Sequence, residues 1–340
     1  MKNLLNKAIG SIMGVALGAA SMLGAAGCSV INDDLDPCPQ GVQLRFVFDY
    51  NMEFHNTFPA QVECLTLLVY DKDGKFVTSR AETTQVLADE SYRMILDLPA
   101  GTYHFVAYGG MECDKSTFHF VKTPAAGSTL AELQVNMNDT HVSATPGREL
   151  HPLFFGDLDL TIDPKAMNYT DGTVYMIRDT NTIRVILQNV DGTPVNPDDF
   201  TFTIYDDNTQ LAFDNSVIPV AGGNTYSPWE TGQVVVGSTE RDDAATVAYA
   251  EFSTSRLMDG SGSRLIVNDG VNDQTVLSIP LVNYLQLMKS ISSKYDKLGA
   301  QEFLDRECDW TLMLFLDNGR WIDTHIVIND WTVRLNHAEL

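Results

Sequence analysis

The sequence predicts an all-β protein with two antiparallel β-sandwich domains in tandem. Short segments of alternating or aromatic-rich apolar residues recur along the chain, and turn residues separate them. Spacing of this kind is typical of antiparallel sandwiches, whose strands bury one face and expose the other. With 340 residues, the chain also exceeds the length that one hydrophobic core usually serves. We therefore expect two domains, at residues 41–163 and 172–340.

The first domain is predicted from a row of strands joined by turns. Residues 42–48 alternate between apolar and polar side chains, and residues 62–70 form an apolar run that ends at the hairpin turn 71–74. Further strand-like segments follow at residues 76–77, 92–98, 102–108, 153–156 and 158–162. The polar stretch 163–172, which contains Pro164, then interrupts the apolar pattern. This stretch is the predicted linker between the domains.

The second domain repeats the strand pattern and adds one helix. Its strand-like segments begin at Val174 and continue at residues 182–189, 200–205, 246–252, 264–267 and 275–279. Residues 281–291 are apolar at every third or fourth position, which predicts a short helix packed on an edge of the sandwich. Residues 310–316 and 321–331 flank the turn 317–319 and predict a closing hairpin.

The N-terminal 27 residues are predicted to be a bacterial lipoprotein signal. Residues 1–7 are basic, residues 8–23 are apolar with Gly and Ser, and residues 25–27, Ala-Ala-Gly, precede Cys28. Small side chains admit the signal enzyme, and a thiol at the new N-terminus is a nucleophile for diacylglycerol. We therefore predict lipidation at Cys28, with residues 28–40 as a lipidated acidic tether. The alternatives are an ordinary secreted chain, in which this cysteine is incidental, and an uncleaved membrane anchor.

Acidic residues strongly outnumber basic ones. The chain has 45 Asp and Glu against 22 Lys and Arg, a net charge of −23, and loss of residues 1–27 removes two lysines and no acid. A chain of this charge repels nucleic acid and anionic lipid headgroups, and no run of Lys or Arg offsets the repulsion. We therefore expect no nucleic-acid partner and assign attachment to the membrane to the lipid alone.

Four cysteines remain after Cys28. Their spacing lacks the Cys-x-x-Cys pairs of a zinc site, and an exported location favours disulfides over free thiols. Because Cys38, Cys64 and Cys113 all lie in the first half, we expect one bridge within that half. Cys64 with Cys113 is the predicted pair, and Cys38 is the third candidate. The alternative is that some of these residues, or Cys308, are buried free thiols.

The sequence contains none of the common local signatures of hydrolases, metalloproteases or nucleotide enzymes. His104 and His119 flank one predicted strand pair without a third ligand at metal spacing, so no metal is assigned. Residues 71–74, Asp-Lys-Asp-Gly, resemble the start of a calcium loop, but a strand rather than a helix follows, so a turn is predicted. We therefore predict no enzyme activity, no cofactor and no small-molecule substrate.

Short motifs along the chain resemble one known family. The motifs occur in order along the chain, at residues 28–39, 42–50, 98–103, 108–110, 153–156, 303–307 and 328–331. Together with the lipoprotein signal, they make the chain resemble the FimB/Mfa2 family of fimbrial anchor lipoproteins from Bacteroidales. The resemblance implies two transthyretin-like β-sandwich domains, attached through lipid to the outer membrane and exposed at the cell surface. It also implies a place at the base of a fimbrium, or pilus, whose length the protein limits.

The resemblance also implies how the chain meets its partner, a fimbrillin of the fimbrial shaft. Such subunits join by strand exchange, in which an extended segment of one protein fills a groove in the next. The family's shaft subunits lose a first strand by cleavage after an arginine; here Arg45 lies inside the predicted first strand, which an anchor is expected to keep. Only residues 332–340 follow Trp331, so no long appended donor strand is apparent. An open sandwich edge and the segment 325–335 are the candidate docking surfaces.

A second function from a different class is a surface lipoprotein that acts as an adhesin or a glycan-binding module. Aromatic residues in loops would support it, and the sequence offers Trp229, Tyr226 and Tyr169 in predicted loops. Residues 33–36, Asp-Asp-Leu-Asp, resemble a short acidic signal for display at the cell surface and fit either function. Anchoring of a fimbrium is the leading prediction because the family motifs span nearly the whole chain after the signal.

Overall fold

The structure of the protein is a computed structural model. It describes residues 40–138, 148–237, 245–272, 274–291, 295–317, 319–328 and 331–336, with the backbone alone for residues 290, 291 and 323–336. Cys28, Cys38, the signal and the tether therefore lie outside the described residues. We call residues 40–178 the first region and residues 179–336 the second region.

The first region contains nine strands and one short helix. The strands are β1 (Gly41–Val47), β2 (Leu65–Asp71), β3 (Phe76–Glu82), β4 (Met94–Asp97), β5 (Gly101–Gly109), β6 (Phe118–Phe120), β7 (Gln134–Met137), β8 (Phe154–Ile162) and β9 (Thr170–Arg178). Helix α1 (Phe58–Gln61) precedes β2, and single 3₁₀ turns lie at Gln85–Ala88 and Leu130–Glu132.

Seven of these strands form one sheet in the order β3-β2-β5-β8-β9-β1-β4. All neighbours are antiparallel except β1 and β9, which run parallel. One face of the sheet has its own hydrophobic core, drawn wholly from residues 42–176 and including Leu44, Phe105 and Phe154. The side chain of Arg80 on β3 donates to the carbonyl oxygen of Ile95 on β4 at 2.6 Å. Because β3 and β4 are the two edges of the sheet, this bond shows that the sheet curls until its edges meet.

The second region contains twelve strands and two short helices. They are β10 (Thr180–Asn189), β11 (Phe200–Asp206), β12 (Gln210–Ala212), β13 (Val217–Ile218), β14 (Asn224–Tyr226), β15 (Glu230–Val236), β16 (Ala245–Ser255), β17 (Arg264–Asp269), β18 (Gln274–Pro280), α2 (Leu281–Gln286), α3 (Ala300–Arg306), β19 (Asp309–Asp317), β20 (Arg320–Ile328) and β21 (Trp331–Asn336). Single 3₁₀ turns lie at Pro197–Asp199 and Leu287–Ile291.

Two sheets of the second region pack face to face as a sandwich. The larger has the order β15-β16-β10-β19-β20-β21, and the smaller has the order β14-β11-β17-β18. Alternate residues of the larger sheet, such as Val185, Phe252 and Leu312, share one core with Ile204 and Leu265 of the smaller sheet. Every neighbouring pair is antiparallel except β10 and β19.

A third, small sheet joins the two regions. Its order is β13-β12-β7-β6, so two of its strands come from each region. Its buried residues, among them Val135 and Leu211, belong to the same core as Tyr108 on the outer face of the curled sheet and Trp310 of the sandwich. The second core is therefore continuous from one region into the other, and the two regions pack as one unit.

The predicted all-β fold is confirmed, as is the helix that begins at Leu281. The predicted linker, residues 163–172, does not separate two sheets, because β8 and β9 on its two sides pair with each other from Phe154↔Arg178 to Asp157↔Tyr175. The chain instead changes sheets at Asp179, between β9 and β10. A polar connection with a proline has the same composition whether it joins two strands of one sheet or two domains.

Candidate anchoring and docking surfaces

The residues after the predicted tether enter the seven-stranded sheet at an interior position. Strand β1 lies between β4 and β9, and its residues Val42, Leu44 and Phe46 are at most 3 % exposed. Gly41 has φ +150°, and a Cβ there would lie 2.0 Å from the carbonyl oxygen of Leu96. Only glycine therefore lets the strand begin so close to β4. A pull on the tether would load an interior strand rather than peel an edge strand from the sheet.

Arg45, the candidate cleavage position, lies within β1 opposite Thr173 of β9. A protease needs its substrate segment in an extended form that is free of other backbone partners. Cleavage after Arg45 would therefore require β1 to leave the sheet, with the loss of the buried side chains on either side of it.

Cys64 and Cys113 form a disulfide, as predicted. The bridge connects the residue before β2 to the loop after β5, and the two cysteines are 49 residues apart in sequence. The backbone N–H of Gly110 donates to the carbonyl oxygen of Cys64 at 2.9 Å, which closes the same corner. Cys308 is a buried free thiol, and burial raises its pKa to about 12. A thiol of that kind stays protonated and is inert.

One group of three side chains among the described residues has the spacing of metal ligands. It consists of Cys64, Cys113 and His151, whose ligand atoms lie within 4.8 Å of one another. Both sulfurs are committed to the disulfide, so this group offers one free ligand, the imidazole. His104 and His119 belong to no such group within the described part of the chain.

Helix α3 connects the two regions through charged side chains. Asp305 accepts two hydrogen bonds from the guanidinium of Arg256, at 2.9 and 2.7 Å, which fixes the helix to the end of β16. The next residue, Arg306, reaches the first region: its guanidinium carbon lies 3.9 Å from the ring centroid of Tyr50 and 4.8 Å from that of Phe54. Neighbouring residues of one short helix therefore contact both regions. They belong to the motif 303–307 of the family resemblance.

Buried acids surround this joint. Asp179, where the chain changes sheets, is fully buried, and burial raises its pKa to about 7 even though Arg256 and Asn215 act to lower it. Asn215 donates to one carboxylate oxygen of Asp179 at 2.8 Å, and Arg256 lies 3.9 Å from the same oxygen. Burial also raises the pKa of Glu307 to about 7. Such directional bonds fix the start of the second region, at Asp179, to the segments that carry Asn215 and Arg256.

The sheets differ in how their edges are closed. In the first region, Arg80 bridges the edges of the seven-stranded sheet. In the second region, β15 and β21 are the ends of the six-stranded sheet. Strand β21 pairs with β20 alone, through six residue pairs from Asp323↔Asn336 to Ile328↔Trp331. It is the last described strand, and one side of its backbone faces no other strand of that sheet. An unpaired strand edge is a template for pairing with another chain.

An apolar groove lies beside this terminal hairpin. It has a volume of about 620 Å³ and is lined by residues of β18, α2 and β20 together with Leu287. The rings of Tyr284 and Trp321 are 6.4 Å apart between centroids and form one wall. Strand β18 is an end strand of the smaller sheet, so the groove runs along a second open edge. Its shape and polarity suit an extended, apolar segment.

The three aromatic residues proposed for a glycan-binding function have different surroundings. Tyr226 is buried, 1 % exposed, and its hydroxyl donates to Asn208 at 2.6 Å, so its expected exposure was wrong. The polar neighbours of Tyr226 in sequence suggested a loop, but the residue lies on β14 and points into the core. Tyr169 is half-buried and donates to Asp97 at 2.6 Å. Trp229 is also half-buried and lines a groove on the outer face of the six-stranded sheet.

No helix within the described ranges is long and apolar enough to span a membrane.

Comparison with known proteins gives consistent relatives. A family described as fimbrillin-A associated anchor proteins Mfa1 and Mfa2 matches residues 35–337. The minor fimbrium anchoring subunit Mfa2 of Porphyromonas gingivalis is 24 % identical over 327 residues, which cover 93 % of each chain.

Solved structures share the fold. A candidate adhesin from Bacteroides thetaiotaomicron superposes with a TM-score of 0.82 at 46 % identity, over 89 % of this chain and all of the other. The fimbrial anchor protein Mfa2 from Porphyromonas gingivalis superposes with a TM-score of 0.65 at 18 % identity, over 87 % of this chain and 99 % of the other. Since the family match extends over nearly all of the sequence, the chain belongs to the fimbrillin-A associated anchor protein family.

Proposed function

We propose that this chain is an outer-membrane lipoprotein that holds the base of a fimbrium to the cell surface. The observation that carries the proposal is the anchor-family match over residues 35–337 in a chain whose first 28 residues read as a lipoprotein signal ending at Cys28. An anchor must attach to the membrane and also bind the filament. The lipid on Cys28 attaches the protein to the membrane, and the folded part binds the filament.

Acyl chains on Cys28 provide the attachment. Each buried methylene contributes about 0.8 kcal/mol, so one chain binds marginally whereas two or three chains hold a protein on a bilayer. The net charge of −23 excludes a substantial contribution from anionic headgroups. The tether then transmits the load to β1, an interior strand of a closed sheet.

The filament partner is a shaft fimbrillin, joined by strand exchange at the terminal strand. Strand β21 is held on one side only, by β20, whereas β1 is held by β4 and β9. Of the two, β21 is the strand whose release breaks backbone pairing with one neighbour rather than two. We assign β21 as the segment that pairs with the fimbrillin, with the apolar groove beside β18 as the adjoining contact surface.

The same contrast explains how the protein would limit filament length. A shaft subunit that has lost its first strand has an open groove in its sheet, into which a strand of the next subunit can insert. Here β1 occupies the position of that first strand, and Arg80 bridges the sheet edges beside it. The first region therefore offers no open groove to another subunit. A filament that reaches this chain therefore stops growing there.

Copurification with the shaft subunit tests the strand assignment. Removal of residues 331–340 takes away β21 and should abolish recovery of fimbrillin with the protein from detergent extracts of the cell envelope. The matched control is Val77→Thr on β3, an exposed residue on an edge strand of the other sheet, which should leave recovery unchanged. Undiminished recovery without β21 would refute the strand assignment. Absence of fimbrillin from the wild-type extract would refute anchoring itself.

A further inference from the structure

The outer face of the six-stranded sheet contains a groove that anchoring does not use. This groove, here called the β15 groove, has a volume of about 590 Å³ and lies where β15, β16 and β10 run side by side. Strand register aligns Glu230, Glu251 and Arg184 in one row across the three strands. The next row holds Gly232, Tyr249 and Ile186. The side chains of both rows project from the face opposite to the main core, where Ile186 and Tyr249 pack in a small apolar cluster with Val247.

Tyr249 forms a flat aromatic surface in the β15 groove. A Cβ on Gly232 would lie 2.7 Å from the Tyr249 hydroxyl oxygen and 2.8–2.9 Å from two carbons of its ring, so the hydroxyl end of the ring lies over the glycine on the neighbouring strand. Its hydroxyl donates to the carboxylate of Glu230 at 2.8 Å. A strand glycine covered by a cross-strand aromatic ring is a stable local arrangement. The hydroxyl end of the Tyr249 side chain is therefore fixed over Gly232 and against Glu230, and the ring lines the groove.

Polar groups surround this ring. The guanidinium of Arg184 pairs with the carboxylate of Glu251; the Arg184 side chain is 55 % exposed, whereas that of Glu251 is 5 % exposed. Arg184, Glu230 and Trp229 line the same groove.

We propose that the β15 groove binds a neutral oligosaccharide. A pyranose ring has an apolar C–H face that stacks on an aromatic ring such as Tyr249, and a rim of hydroxyls that both donate and accept. Carboxylates accept from those hydroxyls, and the half-exposed guanidinium of Arg184 donates to them. Glu230 and Glu251, within a chain of net charge −23, repel anionic sugars.

An extended peptide that pairs with the open edge of β15 is the competing occupant. Such a peptide needs backbone hydrogen bonds along the edge and pockets for alternate side chains. The aromatic ring and the charged row lie instead on the face of the sheet, beside its edge. A ligand that uses the face requires stacking and hydroxyl partners, and the sugar meets both requirements.

Electrophoresis through gels that contain a polysaccharide tests the proposal. The full chain with Cys28→Ala is run with galactomannan, xyloglucan and α-mannan as neutral probes and with polygalacturonate as an anionic probe. We expect at least one neutral polysaccharide to retard the protein and polygalacturonate to leave its migration unchanged. Retardation by none of the neutral probes, or by polygalacturonate alone, would overturn the proposal and leave the peptide as occupant.

Three variants locate the binding. Tyr249→Ala removes the stacking surface and should weaken retardation at least tenfold. Val234→Lys places a long charged side chain beside the groove at a position that is 46 % exposed, so the fold is kept while binding falls by a similar factor. Tyr175→Ala removes a 62 % exposed tyrosine on the first region and should change nothing. Equal retardation of all three variants would contradict the assignment to the β15 groove. Anchoring is tested separately, because neither Cys28→Ala nor removal of residues 331–340 changes a residue that is known to line this groove.

Discussion

In the first region a side chain bridges the two sheet edges, whereas in the second region the end strands β15 and β21 pair on one side only within the described residues. In the first region, Arg80 bridges the two edges, and the Cys64–Cys113 disulfide fixes the end of the β2–β5 pair. The six-stranded sheet of the second region ends in β15 and β21, and its cysteine, Cys308, is a free thiol. Open edges favour pairing with other chains, so a protein keeps them where pairing is useful. This difference supports the proposal that attachment depends on the first region and docking on the second.

Helix α3 adds charged contacts to the hydrophobic core that the two regions share. Substitution of Arg256 by Ala leaves Asp305 and Asp179 buried without their cation, which should lower the free energy of unfolding by up to about 5 kcal/mol. All four tryptophans lie in the second region, so their fluorescence reports that region, while circular dichroism reports both. In urea, we expect the two transitions to coincide in the wild type and to separate in Arg256→Ala.

An exposed ion pair provides the control for this substitution. Lys115→Ala breaks the pair with Glu63, whose side chains are 66 % and 61 % exposed, and should leave both transitions unchanged. Coincident transitions in Arg256→Ala, with the wild-type midpoint, would mean that the charged joint does not couple the regions.

The disulfide should stabilise the first region alone. Cys64→Ala with Cys113→Ala frees a loop of 49 residues in the unfolded chain and should cost about 4 kcal/mol. In the Arg256→Ala background, where the regions unfold separately, the dichroism transition should move to lower urea and the tryptophan transition should stay. The matched control is Cys308→Ala, which should shift only the tryptophan transition. A tryptophan transition that moves with the loss of the disulfide would contradict this division.

The buried acid at the joint should make stability fall as pH rises. The pKa of Asp179 is about 7 in the folded protein against an ordinary value of 3.8, so the folded state binds the proton more tightly. Protonation of Asp179 therefore stabilises the folded state, and this stabilisation is complete below pH 4. As pH rises to 7 it is lost, and the free energy of unfolding falls by at most about 1.4 kcal/mol per pH unit. Unfolding in urea between pH 4 and 8 should show this decline in the wild type relative to Asp179→Asn. Parallel curves for the two proteins would show that Asp179 does not titrate in this way.

Long strands and one disulfide could be predicted from the sequence. Alternation over residues 42–48 and the apolar run 62–70 identify β1 and β2, because each pattern extends over a full strand. The helix at Leu281 followed from its apolar spacing. In contrast, β6 and β12 have three residues each, too few for a pattern, and their sheet forms only because β12 pairs with β7, more than 70 residues earlier.

The functional surfaces depend on contacts that no local pattern encodes. Arg80 and Ile95 meet only because the sheet curls, and the stacking of Tyr249 on Gly232 requires the register of two strands. Residues 303–307 were recognised as a motif, but their role as a joint follows from contacts of Arg306 with Tyr50, more than 250 residues earlier. Of the three aromatic residues chosen from the sequence, Trp229 is the one that lines the β15 groove.

Fractionation of cells that carry two variants tests the division between attachment and docking most directly. With Cys28→Ala, the account predicts that the protein and the fimbriae leave the cell together. When residues 331–340 are removed, the fimbriae should enter the medium while the protein remains in the membrane fraction. Full surface fimbriation in both strains, or the same distribution of the protein in the two, would contradict the account.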